Sequence, residues 1–246
     1  MNDSLIFDLG FHNGDDTDFY LQKGYQVVAL EANPRLVSDG EQRFADVRKS
    51  GKFILINKAI SGQGGEVAFF LHPSNSDWSS CYPEIAGSDG STLIPVKVQA
   101  ISVHELYSQY GVPCYIKVDV EGADSFVARQ VLEYAEKPRF ISFETSRRDY
   151  AEIFSCLYLA GYKKFQLVNQ ANNQNRVIET STILGNNLCY SFSKFSSGPF
   201  GADLSNDKWL SFDEALTRYI KYKDLKQIDN KELGLGWVDV HASLEE

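Results

Sequence analysis

The chain has 246 residues, of which 43% are hydrophobic and 13% aromatic, and its formal net charge is −9. This composition excludes a wholly disordered chain, and the length allows one large α/β domain or two small ones. The acidic balance argues against non-specific binding to nucleic acids or anionic membranes, because both require a basic face. We therefore expect neither nucleic acid nor a membrane as a partner.

The cysteines and the N-terminal residues indicate a compartment. The four cysteines are far apart in sequence and contain no Cys-x-x-Cys pair, which favours reduced thiols over a zinc site or a disulfide framework. The N-terminal segment lacks the basic region and long apolar run of a signal peptide. The longest apolar runs are about five residues, whereas a membrane span needs about 20. We expect a cytoplasmic protein.

Strand-like and helix-like segments alternate along the first two thirds of the chain. Short apolar runs that end at Gly, Asn or charged residues predict strands, and apolar residues at helical spacing behind capping residues predict helices. Strands are predicted, in chain order, at 5–9, 26–30, 53–56, 66–71, 114–120, 140–143 and 164–168, with a candidate last strand at 187–192. Helices are predicted at 15–23, from 33 onwards, from the capping box at 102–105, and at 124–136, 150–160 and 212–225.

Strands that alternate with helices of about ten residues are typical of βαβ units, whose crossovers place helices on both faces of a parallel sheet. We therefore predict an α/β fold with a doubly wound, mostly parallel sheet. Residues 1–192 are predicted to form this domain, and residues 193–246 a helical appendage packed on it. Residues 72–91 form a long polar loop, where Trp78 and Tyr82 are expected either to form a lid for a sugar face or to anchor the loop.

The ends of the first two predicted strands carry the first candidate site. Ligands of an open parallel sheet bind at the carboxyl ends of its strands. Gly10 and Gly14 allow the backbone to turn sharply before a helix N-terminus, whereas His12 stands where a dinucleotide site requires its second glycine. Glu31 follows the second strand, where a carboxylate can bind both hydroxyls of a ribose. The alternative is a tight turn followed by a surface glutamate at a helix start.

The later strand ends add further candidates. Ala59 and Ile60 follow the third predicted strand, where they can bracket an adenine ring. Lys117, Asp119 and Glu121 alternate with apolar residues in the strand predicted at 114–120. We expect these charged side chains either to lie in a ligand-binding cleft, or to form a self-compensating ion pair, or to mark a strand end that has already reached solvent.

Three motifs occur in this order: Asp8-x-Gly10-x-x-x-Gly14, Glu31-Ala32-Asn33-Pro34 and Lys117-x-Asp119-x-Glu121-Gly122. The set resembles the FkbM family of S-adenosylmethionine-dependent O-methyltransferases, over residues 5–144. In the first motif, the usual Ala-Asn of that family is Phe11-His12 here.

The resemblance implies a Rossmann-like class I methyltransferase sheet of seven strands, S-adenosyl-L-methionine as cofactor, and methylation of a hydroxyl on a sugar or secondary metabolite. Asp119 is the first candidate for the base that removes the acceptor proton, His12 is the second, and Lys117 completes the catalytic set. We expect no metal, because Lys117 would repel a cation. The cofactor-binding residues implied are Asp8, Gly10, Asn13, Gly14, Thr17, Glu31, Ala32, Ala59, Ile60 and Asp119.

Two other functions stay open at this point. One is a nicotinamide-dependent oxidoreductase, against which the missing glycine at position 12 argues. The other is a non-catalytic methyltransferase-like binding module, against which the intact Gly10, Gly14, Glu31 and Asp119 argue. The expected partner is a small-molecule or glycan acceptor, and a homo-oligomer is compatible with the sequence.

Overall fold

The computed structural model describes residues 1–62, 64–146, 148–224 and 238–245. Its strands are β1 (Asn2–Leu9), β2 (Gln26–Glu31), β3 (Phe53–Asn57), β4 (Ala59–Ile60), β5 (Glu66–Leu71), β6 (Ile94–Ile101), β7 (Pro113–Val118), β8 (Phe140–Glu144), β9 (Lys164–Asn169), β10 (Val177–Ser181), β11 (Asn187–Ser191) and β12 (Val238–Ser243). Its α-helices are α1 (Asp15–Gln22), α2 (Pro34–Arg43), α3 (Ala45–Lys49), α4 (Pro83–Ala86), α5 (Val103–Tyr110), α6 (Asp124–Glu133), α7 (Tyr150–Leu159) and α8 (Phe212–Asp224).

A seven-stranded sheet with the strand order β3-β2-β1-β7-β8-β12-β9 forms the centre of the molecule. Strands β3, β2, β1, β7 and β8 are parallel to one another, and β12 runs antiparallel to both of its neighbours. The predicted doubly wound, mostly parallel sheet is therefore confirmed. From β1 the strand order continues to β2 and β3 on one side and to β7 and β8 on the other, so the carboxyl ends of β1 and β7 meet at the switch point where ligands bind in such sheets.

The seventh strand of this sheet comes from the tail of the chain. Val238–Ser243 lies between β8 and β9, so the sheet includes residues on both sides of the boundary expected at residue 192. The candidate strand at 187–192 forms as β11, but it pairs with β10 in a separate antiparallel hairpin. Strand β12 was not predicted from sequence, because the polar residues Asp239 and His241 are buried within it and interrupt its apolar pattern.

A second difference concerns the strand that carries the charged motif. Strand β7 ends at Val118, two residues before its predicted end. Asp119 and Glu121 therefore lie in the loop after the strand, and only Lys117 of the three charged residues lies within it.

Strand β6 was not predicted, and it pairs with β4 and β5 in a three-stranded sheet beside the central one.

Side chains of alternate residues in β1 enter two different cores. Leu5, Phe7 and Leu9 belong to the larger core, which helices α5, α6, α7 and α8 cover. Ile6 belongs to the second core, which α1, α2 and the β10–β11 hairpin cover. This arrangement buries both faces of β1 from Leu5 onwards and explains the apolar run Leu5-Ile6-Phe7 within it. Within the described part of the chain, no helix has the length and apolar character that crossing a membrane requires.

Candidate functional site

A cavity of about 350 Å³ lies beside the carboxyl ends of β1, β2, β7 and β8. It is the place where the topology of an open α/β sheet directs a ligand. Of the residues predicted from sequence, it brings together Gly10, His12, Asn13, Glu31, Ala32, Ala59, Ile60, Lys117 and Asp119 in its lining. The predicted residues Asp8, Gly14 and Thr17 do not line it.

Gly10 fixes how closely the ends of β1 and β7 approach. Its φ of +92° belongs to the region that favours glycine, and a Cβ atom at this position would lie 1.8 Å from the carbonyl oxygen of Asp119. The N–H of Asp119 donates to the carbonyl oxygen of Leu9 at 2.9 Å, which holds the two strand ends together. The motif glycine is therefore required by the contact between two strand ends.

The turn is supported on the side away from the cavity by three residues, Asp8, Gly14 and Thr17. The Thr17 hydroxyl donates to Asp8 at 2.6 Å, and both side chains are fully buried. Gly14 has a φ of +82°, and a Cβ atom there would lie 2.5 Å from the ring of Phe11. Because these three residues support the turn, their substitution would act on the cavity indirectly.

Glu31 is held rigidly at the end of β2. One carboxylate oxygen accepts the backbone N–H of His12 and the other accepts that of Asn33, both at 2.8 Å. Burial raises the pKa of Glu31, and the two backbone N–H groups act against that rise. A carboxylate has about four lone-pair sites, so each oxygen keeps capacity for a further hydrogen bond from the cavity.

Lys117 is a buried cation surrounded by carboxylates. Its Nζ atom donates to the carbonyl oxygen of Gly10 at 2.8 Å and lies 3.3 Å from Asp119 and 3.7 Å from both Asp8 and Asp16. Burial acts to lower the pKa of Lys117, but the surrounding carboxylates outweigh it and hold that pKa well above its usual value. Lys117 therefore stays protonated at neutral pH, so it neutralises the turn and cannot accept a proton there.

Several carboxyl groups near this cation have raised pKa values. Burial, assisted by neighbouring carboxylates, raises the pKa of Asp16 to about 7, of Glu121 to about 9 and of Asp239 to about 8. Burial likewise raises the pKa of Glu144 well above its usual value. Protonation at these positions relieves the repulsion that so many buried acids would otherwise suffer. Among the residues that the structure describes, no group of three or more His, Cys, Asp or Glu side chains is arranged to hold a metal ion.

His12 connects the first turn to the polar loop. Its Nε2 atom lies 2.6 Å from the carboxylate of Asp77 and 3.1 Å from the hydroxyl of Ser76. The ring of Phe195 approaches the imidazole edge-on, with 5.8 Å between ring centroids. Sequence reasoning missed Ser76, Asp77 and Phe195. The length and polarity of the loop at 72–91 indicated a functional segment around the first two, whereas Phe195 lies outside that loop.

The two aromatic residues predicted in this loop have different places. Trp78 lines the cavity and is 44% exposed. Tyr82 lies outside the cavity lining and packs close to Gly122, where a Cβ atom would lie 3.0 Å from its ring. Of this pair, therefore, Trp78 is the one that can contact a ligand in the cavity.

Two residues of the cavity have an unusual backbone conformation. His12 has a φ of +49° and Glu121 a φ of +47°, a region that side chains other than glycine rarely adopt. Such strain costs of order 1–3 kcal/mol for each residue and concentrates at functional sites. Both strained residues face the same cavity, which supports its assignment as the functional site.

The chain matches no protein-family model and no curated protein sequence. It is similar to the C-terminal domain of precorrin-6Y C5,15-methyltransferase from Rhodobacter capsulatus, with 6% identity, a TM-score of 0.42, and 78% of this chain and 77% of that chain covered. It is similar to the precorrin 8w decarboxylase of Methanobacterium thermoautotrophicum, with 13% identity, a TM-score of 0.40, and 77% and 78% covered. It is also similar to the glycopeptide N-methyltransferase MtfA complexed with S-adenosyl-L-homocysteine, with 11% identity, a TM-score of 0.33, and 100% and 83% covered. At these identities and TM-scores, the similarities carry no argument about the reaction of this chain.

Proposed function

We propose that this protein is an S-adenosylmethionine-dependent methyltransferase that methylates a hydroxyl of a sugar or secondary metabolite. The observation that carries the proposal is Glu31, whose carboxylate two backbone N–H groups hold in the same cavity as the glycine turn. A rigid carboxylate at the end of the second strand suits the two hydroxyls of a ribose. The three ordered motifs support assignment to the FkbM family.

The residues of the cavity fit the remaining parts of this cofactor. The turn that contains Gly10 and Asn13 would hold its amino-acid end, and Asp119 would face its ammonium group. Ala59 and Ile60, which are buried at the lining, would contact the adenine ring. The cofactor supplies a methyl group on a sulfonium, which is also the leaving group. The Asp119 side chain in the lining suits these cationic groups better than a pyrophosphate, which argues against a nicotinamide cofactor.

The acceptor side of the cavity supports a hydroxylated ring compound. Trp78 and Phe195 are both partly exposed in the lining, and they come from different segments of the chain. Aromatic faces together with hydrogen-bonding groups, such as the Ser76 hydroxyl and the Asp77 carboxylate, are the usual composition of a site that binds such a molecule. The protein's part in the reaction is then alignment of the hydroxyl and removal of its proton, for which Asp119 and His12 are the candidates.

The proposed setting is the cytoplasm, with a small-molecule or glycan acceptor as the partner and with neither nucleic acid nor a membrane. The four cysteines are free, and two of them are buried, which suits a reducing compartment. Self-association remains part of the proposal, and sedimentation of the purified protein tests it directly.

Isothermal titration with S-adenosylhomocysteine and, separately, with NAD⁺ tests the cofactor. We expect saturable binding of the first and none of the second. A screen of sugars and hydroxylated metabolites with methyl-labelled S-adenosylmethionine then tests the reaction. Binding of NAD⁺ alone would favour the oxidoreductase, and tight S-adenosylhomocysteine binding without transfer to any acceptor would favour a non-catalytic module.

A further inference from the structure

The side chain of His12 is paired with a carboxylate from a distant segment. Its Nε2 atom lies 2.6 Å from Oδ1 of Asp77 and 3.1 Å from the Ser76 hydroxyl. Both contacts are made by Nε2, so a proton from the cavity would be taken up at Nδ1. His12 lines the cavity and its side chain is 26% exposed, so a ligand there has access to the imidazole.

Asp77 is held in place by the loop that carries it. Its backbone N–H donates to the side chain of Asn75 at 3.2 Å, which caps the short 3₁₀ turn Ser76–Trp78. Farther along the loop, the hydroxyl of Ser80 donates to the carbonyl oxygen of Glu121 at 2.5 Å. The loop is therefore tied to the segment that follows β7, and these bonds hold the backbone that carries Asp77.

The charges that face His12 come from several elements. Burial acts to lower the pKa of His12, but the hydrogen bond and charge of Asp77, with a smaller effect of Glu31, outweigh it and raise that pKa. Lys117 acts in the opposite direction. On the other side of the pair, the His12 contact lowers the pKa of Asp77, with a smaller contribution from Lys194. The competing candidate base, Asp119, is already engaged by the ammonium of Lys117 at 3.3 Å.

We propose that His12 accepts the proton of the acceptor hydroxyl, and that Asp77 is the positioning residue that orients His12 and stabilises its cationic form. This inference rests on the proposed function. The hydroxyl proton passes to Nδ1 of His12 as the acceptor oxygen forms its bond to the methyl carbon. The bond between that carbon and sulfur breaks, and its electron pair stays on sulfur. His12 then returns the proton to solvent.

The pair can be tested without knowing the acceptor. Nitrogen-15 spectra of the full chain report the pKa and the tautomer of each of its four histidines, and the His12→Asn variant assigns the His12 signals. We expect neutral His12 to carry its hydrogen on Nε2. Asp77→Asn should lower the pKa of His12 by about one unit, which is roughly a tenfold loss of proton affinity, because the carboxylate that favours the imidazolium is gone.

Asp89→Asn is the matched control. Asp89 lies on the same loop and contacts a different histidine, His72, at 3.2 Å, so its substitution should leave the pKa of His12 unchanged. An unchanged His12 pKa in Asp77→Asn, or a neutral tautomer with hydrogen on Nδ1, would overturn the proposal. Circular dichroism establishes that each variant is folded.

Two further measurements separate this proposal from the proposed function. S-adenosylhomocysteine should bind wild type and the control Asp89→Asn equally, and failure to bind wild type would refute the methyltransferase assignment without touching the histidine titration. With any acceptor that the screen identifies, kcat/KM should rise with pH through the pKa of His12 measured in the free protein. In Asp77→Asn that inflection should move to lower pH, and an inflection that stays while the measured pKa moves would assign the proton to another group.

Discussion

A Cβ atom on Gly10 would lie 1.8 Å from the carbonyl oxygen of Asp119, a distance at which one of the two strand ends must move. The same Asp119 presents its side chain to the ammonium of Lys117, which donates in turn to the carbonyl oxygen of Gly10. The first and third motifs of the sequence are therefore in direct contact, and the floor of the cavity depends on both.

Gly10→Ala should displace the end of β7 and destabilise the fold. The left-handed φ of +92° costs an alanine about 1–2 kcal/mol, and forcing the strand ends apart adds roughly 1–3 kcal/mol. Urea unfolding measures the loss, and titration with S-adenosylhomocysteine should reveal weaker binding. Gly161→Ala is the control, because its φ is +100° but nothing lies within 4 Å of the added atom. Equal losses in the two variants would refute the importance of the Asp119 contact.

Glu31→Ala should weaken binding of S-adenosylhomocysteine by roughly 1–3 kcal/mol, because charge-assisted hydrogen bonds to the ribose are lost. Some loss of stability is also expected, since the backbone N–H groups of His12 and Asn33 lose their acceptor. Calorimetric titration at a temperature where the variant is folded isolates the binding effect. Glu41→Ala, which removes a half-buried glutamate of α2 paired with Arg48 outside the cavity lining, should bind like wild type. Unchanged affinity in folded Glu31→Ala would remove the ribose assignment.

Lys117→Met should be strongly destabilising, by about 3–5 kcal/mol, because buried carboxylates lose the cation that compensates them. The lysine lowers the pKa of both Asp8 and Asp16, so its removal raises them further. Unfolded Asp ionises near pH 4, so the loss should be larger at pH 8 than at pH 6. Urea unfolding at the two pH values measures the difference. Lys97→Met, which removes an exposed ion pair with Glu66, should change little at either pH.

Asp239→Asn should make the stability of the protein less dependent on pH. The folded pKa of Asp239 is raised to about 8 from a usual value of 3.8, mainly by burial. A raised folded pKa means that stability is fully present below pH 4 and is lost as the pH rises to about 8. The free energy of unfolding of the variant minus that of wild type should therefore be larger at pH 8.5 than at pH 5.5. Asp46→Asn, at a carboxylate that is 95% exposed, should not alter the slope.

The glycine turn, Glu31 and the Lys117–Asp119 segment could be predicted from sequence because each is a short motif at the end of one strand. These segments meet at one edge because the sheet is parallel, and the alternation of strand-like and helix-like segments in the sequence predicted that sheet. The partners of His12 could not be predicted in this way. Asp77 and Phe195 reach it from a loop and from the tail, and such contacts leave no periodic trace in the sequence.

The tail strand escaped prediction for a related reason. An interior strand is expected to be continuously apolar, but β12 buries Asp239 and His241. The side chain of Gln170 bonds to Asp239, and that bond makes its burial tolerable. Asp239 and His241 are buried because β12 lies between β8 and β9, and that position depends on the whole fold.

The position of β12 also has a consequence for the order of folding. On the ribosome, β8 and β9 emerge before the strand that belongs between them, so neither can complete its hydrogen bonding when it appears. Until β12 is in place, β8 and β9 each expose an unpaired edge whose N–H and C=O groups can pair with another strand, either of this chain or of a second chain. We expect the nascent protein to need a chaperone that covers these unpaired edges at this stage. We also expect refolding to be limited by the insertion of β12 between β8 and β9.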